Sequence, residues 1–162
     1  MARFDPTRPD MSPYGFTCVR WNPTTMARSD RHNEIELNLL SEGRLIYLLG
    51  GRRVEVQPGR LTAFWACAPH QVLSFDGLRE YFVMTIPLAW FLQWRLAEPM
   101  TQAMLQGRVA VEQDEGLARG DLDRFALWTE DLASRSGERE RSCALEVEAR
   151  LRRFSLGLSE PP

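Results

Sequence analysis

Polar and apolar side chains alternate from residue 32 to residue 39: His32, Glu34, Glu36 and Asn38 interleave with Asn33, Ile35, Leu37 and Leu39. Residues two apart on a strand share a face, so this period predicts a strand with a polar row on one side and a mostly apolar other side. A His, Glu, Glu, Asn row lines an enclosed space better than it faces a dry core. The apolar side is then expected to lie under helices. Other short strands are predicted at 16–21, ended by Asn22-Pro23, and at 44–49 and 52–56, joined by Gly50-Gly51. Two glycines between apolar runs predict a hairpin, because a two-residue turn of this kind needs positive φ. Pro58-Gly59 and Asp76-Gly77 mark further turns around strands at 61–66, 71–75 and 79–85, with a closing strand at 108–111. So many short strands with frequent turn signals indicate an antiparallel barrel or sandwich.

The pattern changes at Pro87, which suits the first turn of a helix. Residues 88–94 are apolar nearly all round, so a short buried helix is expected, with another turn or two at 99–105. Asp121 reads as the N-cap of a longer helix whose stripe is Leu122, Phe125, Trp128 and Leu132. Ser136-Gly137 separates it from a last helix in which Ala144, Val147, Leu151, Phe154 and Leu158 recur at spacings of 3, 4, 3 and 4. That seam suits packing on the barrel or on a second chain. Glu146 with Arg150, and Glu148 with Arg152, are expected as i, i+4 pairs.

With 162 residues, 44% of them apolar, the chain can bury one sizeable core. A net charge of −2 gives no basic footprint for nucleic acid. All 20 basic residues are Arg. Cys18, Cys67 and Cys143 are odd in number and form no CxxC, which suits reduced thiols in a cytoplasmic protein. The least polar segment, 81–92, is 12 residues long and contains Pro87, and no apolar run follows the charged start. Neither a membrane span nor a signal peptide is expected. Pro6, Pro9 and Pro13 among polar residues leave two readings for residues 1–15, an extended arm or a frayed terminus.

For chemistry, His32, Glu36 and His70 lead. Three readings stay open for them: a metal site, hydrogen bonds to a bound molecule, or purely structural bonds. Glu34 and Asn38 share their face, and Tyr47 and Arg44 on a neighbouring strand are within reach of the same space. Aromatic rings stack on the C–H face of a sugar while carboxylates and amides take its hydroxyls, so Trp65 near Glu36 and His70 would suit a saccharide. The phase of Trp65 leaves open whether it faces the cavity or the helices. Trp90, Trp94 and Trp128 read as core. No GxSxG, Walker or dinucleotide-binding glycine pattern is present, and no nucleophile has a supporting constellation.

The spacing of His32, Glu36, Gly43, Pro58-Gly59 and His70 resembles the two half-motifs of the cupin barrel, except that Asp30 stands where the metal-binding form has a histidine. More specific words are Glu36-Leu37-Asn38, residues 61–71, Ile86-Pro87-Leu88, Phe91-Leu92-Gln93-Trp94 and Arg153-Phe154-Ser155-Leu156. In order and spacing these resemble the amino-terminal sensor domain of AraC-type transcription regulators, from about Asp30 to the end. The resemblance implies a mainly β fold, a cupin-like antiparallel β-barrel (jelly roll) followed by C-terminal α-helices. It implies an arm at 1–15, a ligand-binding barrel at 16–112 including a short helix near 87–105, and a helical dimerisation region at 117–158. A linker would begin at 159–162, leading to a helix-turn-helix DNA-binding domain that this chain lacks. The expected partners are a small effector, by analogy a saccharide, held by His32, Glu34, Glu36, Asn38, Tyr47, Trp65 and His70, and a second copy meeting Val147, Leu151, Phe154 and Leu158. No cofactor, metal or catalytic residue is assigned, and DNA is reached only through the missing domain. The alternative is a metal-dependent cupin enzyme, an oxygenase or sugar isomerase.

Overall fold

The computed structural model describes residues 2–158; the expected linker at 159–162 lies outside them. The strands are β1 (Thr17–Trp21), β2 (Glu34–Leu39), β3 (Arg44–Leu49), β4 (Arg52–Val56), β5 (Thr62–Trp65), β6 (His70–Asp76), β7 (Tyr81–Pro87) and β8 (Ala110–Val111). The helices are α1 (Leu88–Gln93), α2 (Glu98–Leu105), α3 (Glu115–Ala118), α4 (Asp121–Ala133) and α5 (Gly137–Leu156). The architecture is mainly antiparallel sheet with C-terminal helices.

The expected closed barrel does not form. The strands make two separate sheets, one of five strands in the order β1-β7-β2-β5-β8 and one of three in the order β4-β3-β6. The reason is visible at the edge of β6. Asn22-Pro23 takes the chain out of β1, and the loop that follows runs beside β6 without becoming a strand. It covers that edge with the Met26 N–H donating to the Val72 carbonyl and with an isolated bridge between Asp30 and His70. An edge blunted in this way is protected without ladder closure.

The two faces of the large sheet follow the alternation. On the outer face, Cys18, Met84, Leu37, Ala63 and Ala110 stand in cross-strand register and are buried against Phe125, Trp128, Val147, Leu151 and Phe154 of the helices. On the inner face, Phe64, Tyr81 and Val83 join Tyr47, Leu49, Val56 and Val72 of the small sheet in a second core. The helices thus sit outside, as the polar row requires.

Two expectations for the helices are corrected. The short helix α1 is not buried all round: it buries Phe91 alone, while Trp90 is 40% exposed and its ring lies 5.1 Å from that of Phe16. The N-cap of α4 is Gly120, and Asp121, the first helical residue, is fully buried.

The β3–β4 hairpin turns at Gly50 and Gly51, both at positive φ (56° and 80°), which is why two glycines stand there. Gly43 is constrained twice over. Its φ is +70°, and a Cβ there would meet the Gly77 carbonyl oxygen at 2.5 Å and its carbon at 2.6 Å. Because those neighbours are backbone, Gly43→Ala is expected to destabilise the fold by about 1–3 kcal/mol. Urea unfolding checks this; an unchanged midpoint would mean that the β2–β3 connection relaxes freely.

Candidate binding cavity

In register, the inner face of the large sheet presents one row of Thr17, Thr85, Glu36 and Phe64 and a second of Val19, Val83, Asn38 and Thr62. Trp21 and Tyr81 face one another a step further along β1 and β7. Between this surface and the small sheet lies a cavity of about 220 Å³. Its floor carries Asp30, His32, Glu36 and His70, its far wall Tyr47 and Val72, and its near wall Thr17, Val19, Val83 and Thr85. The arm closes one side with Ala2, Phe4 and Tyr14.

The arm is tied down at several points. The Tyr14 and Gly15 N–H groups donate to Glu34 Oε2 at 3.1 and 3.2 Å. Thr85 donates to the Gly15 carbonyl at 2.7 Å. The Arg28 guanidinium donates to the carbonyls of Pro6 and Arg8, Arg31 pairs with Asp10, and Ala2 bridges to Trp21. Arg8 stacks on the Tyr14 ring and approaches Asp30 Oδ2 at 3.6 Å.

The polar row is internally bonded. His32 Nδ1 donates to Glu34 Oε1 at 2.8 Å, and His32 Nε2 lies 3.2 Å from Glu36 Oε1. His70 Nε2 is 3.8 Å from the same oxygen, while His70 Nδ1 donates to the Ala68 carbonyl at 3.0 Å. Asn38 donates to Glu36 Oε2 at 2.9 Å and accepts from the Tyr47 hydroxyl at 2.8 Å.

Burial by itself would discharge His32. Its hydrogen bonds to Glu34 and Glu36, and their charges, outweigh burial and raise its pKa to about 9. Burial likewise pushes the Glu36 carboxyl up, but the His32 hydrogen bond and the charges of both histidines hold it below the usual carboxylate range. Burial raises the Tyr47 phenol well above its ordinary value, so it acts as a neutral donor.

Of the residues singled out from the sequence, His32, Glu36, Tyr47 and His70 line the cavity. Glu34 and Asn38 are buried behind them and hold His32, Tyr47 and Glu36 in place. Trp65 is elsewhere. It pairs with Ile35 on the outer face, packs against the helix-side core and donates from its indole nitrogen to Asn33. Arg44 is exposed and pairs with Glu55.

The helical seam is also internal to the chain. Val147, Leu151 and Phe154 are at most 1% exposed within it, and Leu158 is partly buried against the same core, so the three have no free surface for a second copy.

Sequence reading missed Asp30, Tyr14, Trp21 and Tyr81. The signal for Asp30 was its position two residues before His32, in phase with the polar row. For Trp21 and Tyr81 it was the same period of two within their own strands. Among the described residues no helix is long and apolar enough to cross a membrane.

No family model matches the chain. It is similar to the melibiose operon regulatory protein of Escherichia coli strain K12, at 29% identity over 141 residues that cover 86% of this chain and 45% of that protein. The counterpart from Escherichia coli O6:H1 aligns with the same identity and coverage. Among solved structures, the AraC-like transcriptional activator CuxR shares the fold, with a TM-score of 0.59 over 90% of this chain and 51% of that one, at 14% identity. The chain therefore spans about half the length of these proteins. These similarities bear out the resemblance to AraC-type transcription regulators.

Proposed function

From that kinship we propose that the chain is the sensory region of an AraC-type regulator, taking a small-molecule effector into the cavity between its two sheets. The observation that carries this reading is the inward-facing polar row, enclosed by two sheets and roofed by the arm. The effector proposed is a small saccharide. Glu36, Thr85 and the tyrosine hydroxyls offer partners for sugar hydroxyls, and Trp21 and Val83 offer an apolar wall. At about 220 Å³ the cavity is smaller than the roughly 300–1,000 Å³ typical of drug-sized ligands, so one sugar ring suits it better than a chain of them. The protein works in the cytoplasm without catalysing a reaction, and it contacts DNA only through a separate helix-turn-helix domain. Because the arm is a wall of the cavity, an effector that distinguishes its closed from its open position would shift the balance between the two. For self-association the helices present Leu127, Leu145 and Leu156, all exposed.

A thermal-shift panel of mono- and disaccharides tests the proposal. At least one monosaccharide is expected to raise the melting temperature in a concentration-dependent way, and Val19→Phe, which fills the cavity from β1, is expected to abolish that shift while the far-UV spectrum is kept. No shift with any sugar, or a shift that survives Val19→Phe, would overturn it.

A further inference from the structure

The small sheet ends in two edges, and the chain treats them differently. Along β6 the loop after β1 lies against the strand, with the Met26 N–H on the Val72 carbonyl and reciprocal bonds between Asp30 and His70. Along β4 nothing does: among the described residues no backbone group outside the β3–β4 ladder bonds to the main chain of Arg52–Val56. In the large sheet, β1 is met by Ala2 at its Trp21 end, and β8 is only two residues long. The hairpin fixes which groups of β4 are left over. Gly50 and Gly51 form a two-residue turn flanked by the pair Leu49 and Arg52, and the residues that close such a turn exchange hydrogen bonds. The ladder therefore uses the main chains of Arg52, Val54 and Val56. In keeping with this phase, the Gly50 N–H points the other way, to the Pro69 carbonyl just before β6. Arg53 and Glu55 turn their N–H and C=O groups to the open side.

The side chains of Arg53 and Glu55 stand on the face away from the cavity, because Tyr47, which lines it, is paired with Val54. Both are exposed; Glu55 pairs with Arg44 at 3.2 Å through one oxygen and takes Gln57 through the other. Open strand edges are commonly blunted by charge that repels a second strand. Here the alternation of sign does the opposite. When a second copy lies antiparallel about a two-fold axis through Val54, Arg53 faces Glu55 of that copy and Glu55 faces its Arg53. These are the residues whose main chains are free, so each opposed pair exchanges both backbone bonds while its side chains carry opposite charge. An axis moved by one residue in either direction sets Arg53 on Arg53 or Glu55 on Glu55. Charge thus selects one register. In it the Val54 side chains, half-buried at the rim of the second core, meet at the close, non-hydrogen-bonded position, with Cα atoms about 4.5 Å apart.

We propose that β4 is a self-association edge, on which a second copy of this chain adds its own β4 antiparallel and joins the two three-stranded sheets into one. The contact is isologous and closes after two copies. The cavity and the large sheet lie between β4 and the helices, so this surface is separate from any association through α4 and α5, and it does not depend on the effector. A five-residue edge buries less than the roughly 1,200 Å² of a standard interface, which places the dissociation constant between about 10 µM and about 1 mM. Copies already held together elsewhere meet at an effective concentration of about millimolar, and there the edge is filled.

Sedimentation equilibrium from about 10 µM to about 1 mM protein tests the edge. The average mass of the wild type is expected to rise toward double across this range. Arg53→Glu and Glu55→Arg each set like charges across the axis, and each is expected to weaken association at least about 10-fold. Mixed in equal amounts, the two variants are expected to associate with each other at wild-type strength, because an acidic edge then meets a basic one. The chain carrying both substitutions restores the alternation with its signs exchanged and is expected to self-associate as the wild type does. A wild-type mass that stays constant across the range would overturn the proposal. So would undiminished association of either single variant, which would assign the contact to the helices, or a mixture of natively folded single variants that associates no more tightly than each does alone.

Discussion

Replacing Arg150 by methionine is expected to lower folding stability by about 3–5 kcal/mol. Arg150 projects from α5 into the protein with 3% of its surface exposed. Its Nε and Nη2 donate to the two carboxylate oxygens of Asp121 at 2.7 and 2.8 Å, and Nη2 donates to Glu112 Oε2 at 2.7 Å. Asp121 opens α4, and Glu112 follows β8, so a single guanidinium joins three elements. Burial opposes its charge, but the hydrogen bonds and charges of Asp121 and Glu112 more than compensate and raise its pKa above the ordinary arginine value. Methionine keeps most of the aliphatic volume but leaves Glu112, 2% exposed, without its cation, and Asp121, 0% exposed, with only the half-exposed Arg124 at 3.1 Å. The loss comes from those stranded charges more than from the bond removed. Replacing Arg150, Asp121 and Glu112 together by apolar residues of similar volume should recover most of the loss. Urea midpoints at constant m-value measure both; a loss under about 1 kcal/mol for the single substitution would show that water reaches the cluster.

The second large effect is expected one residue further on. Leu151 is fully buried among Val147, Phe154 and the outer face of the large sheet, so Leu151→Ala should reduce stability by about 2–5 kcal/mol through lost burial and a residual cavity. Because those contacts lie within one chain, the reduction should be the same at low and high protein concentration. A loss that appears only where the protein self-associates would instead place the seam between copies.

These two neighbours show what a single sequence reveals and what it hides. The period of two from His32 to Leu39 was enough to place polar groups inside and helices outside, because register on a strand fixes face. The Gly50-Gly51 turn was equally local. The 3-and-4 spacing of α5 identified its buried stripe but not the partner, since an apolar stripe looks alike whether it meets the same chain or another. Arg150 was read as the partner of Glu146, four residues away; it turns inward to residues 29 and 38 positions distant, whereas Arg152 does pair with Glu148. Asp121 was read as a cap for the same reason: its true partner is remote in sequence. Trp65 had an ambiguous phase until its pairing with Ile35 fixed it. Strand count and turn signals leave barrel and sandwich open, and the closed barrel rests on the inward polar row and the cupin resemblance; none of these tells whether edge strands meet or are blunted by a loop such as the one that brings Asp30 to His70.

The arm's course bears on how the protein should be handled at the bench. The Ala2 carbonyl accepts from the Asn22 N–H at 2.8 Å, and Ala2 and Phe4 are themselves part of the cavity wall. An affinity tag fused ahead of residue 2 would therefore emerge beside that wall. Titrations made on amino-terminally tagged material would report the tag's pull on the wall together with the affinity, and cleavage of the tag before measurement, or its placement elsewhere, separates the two.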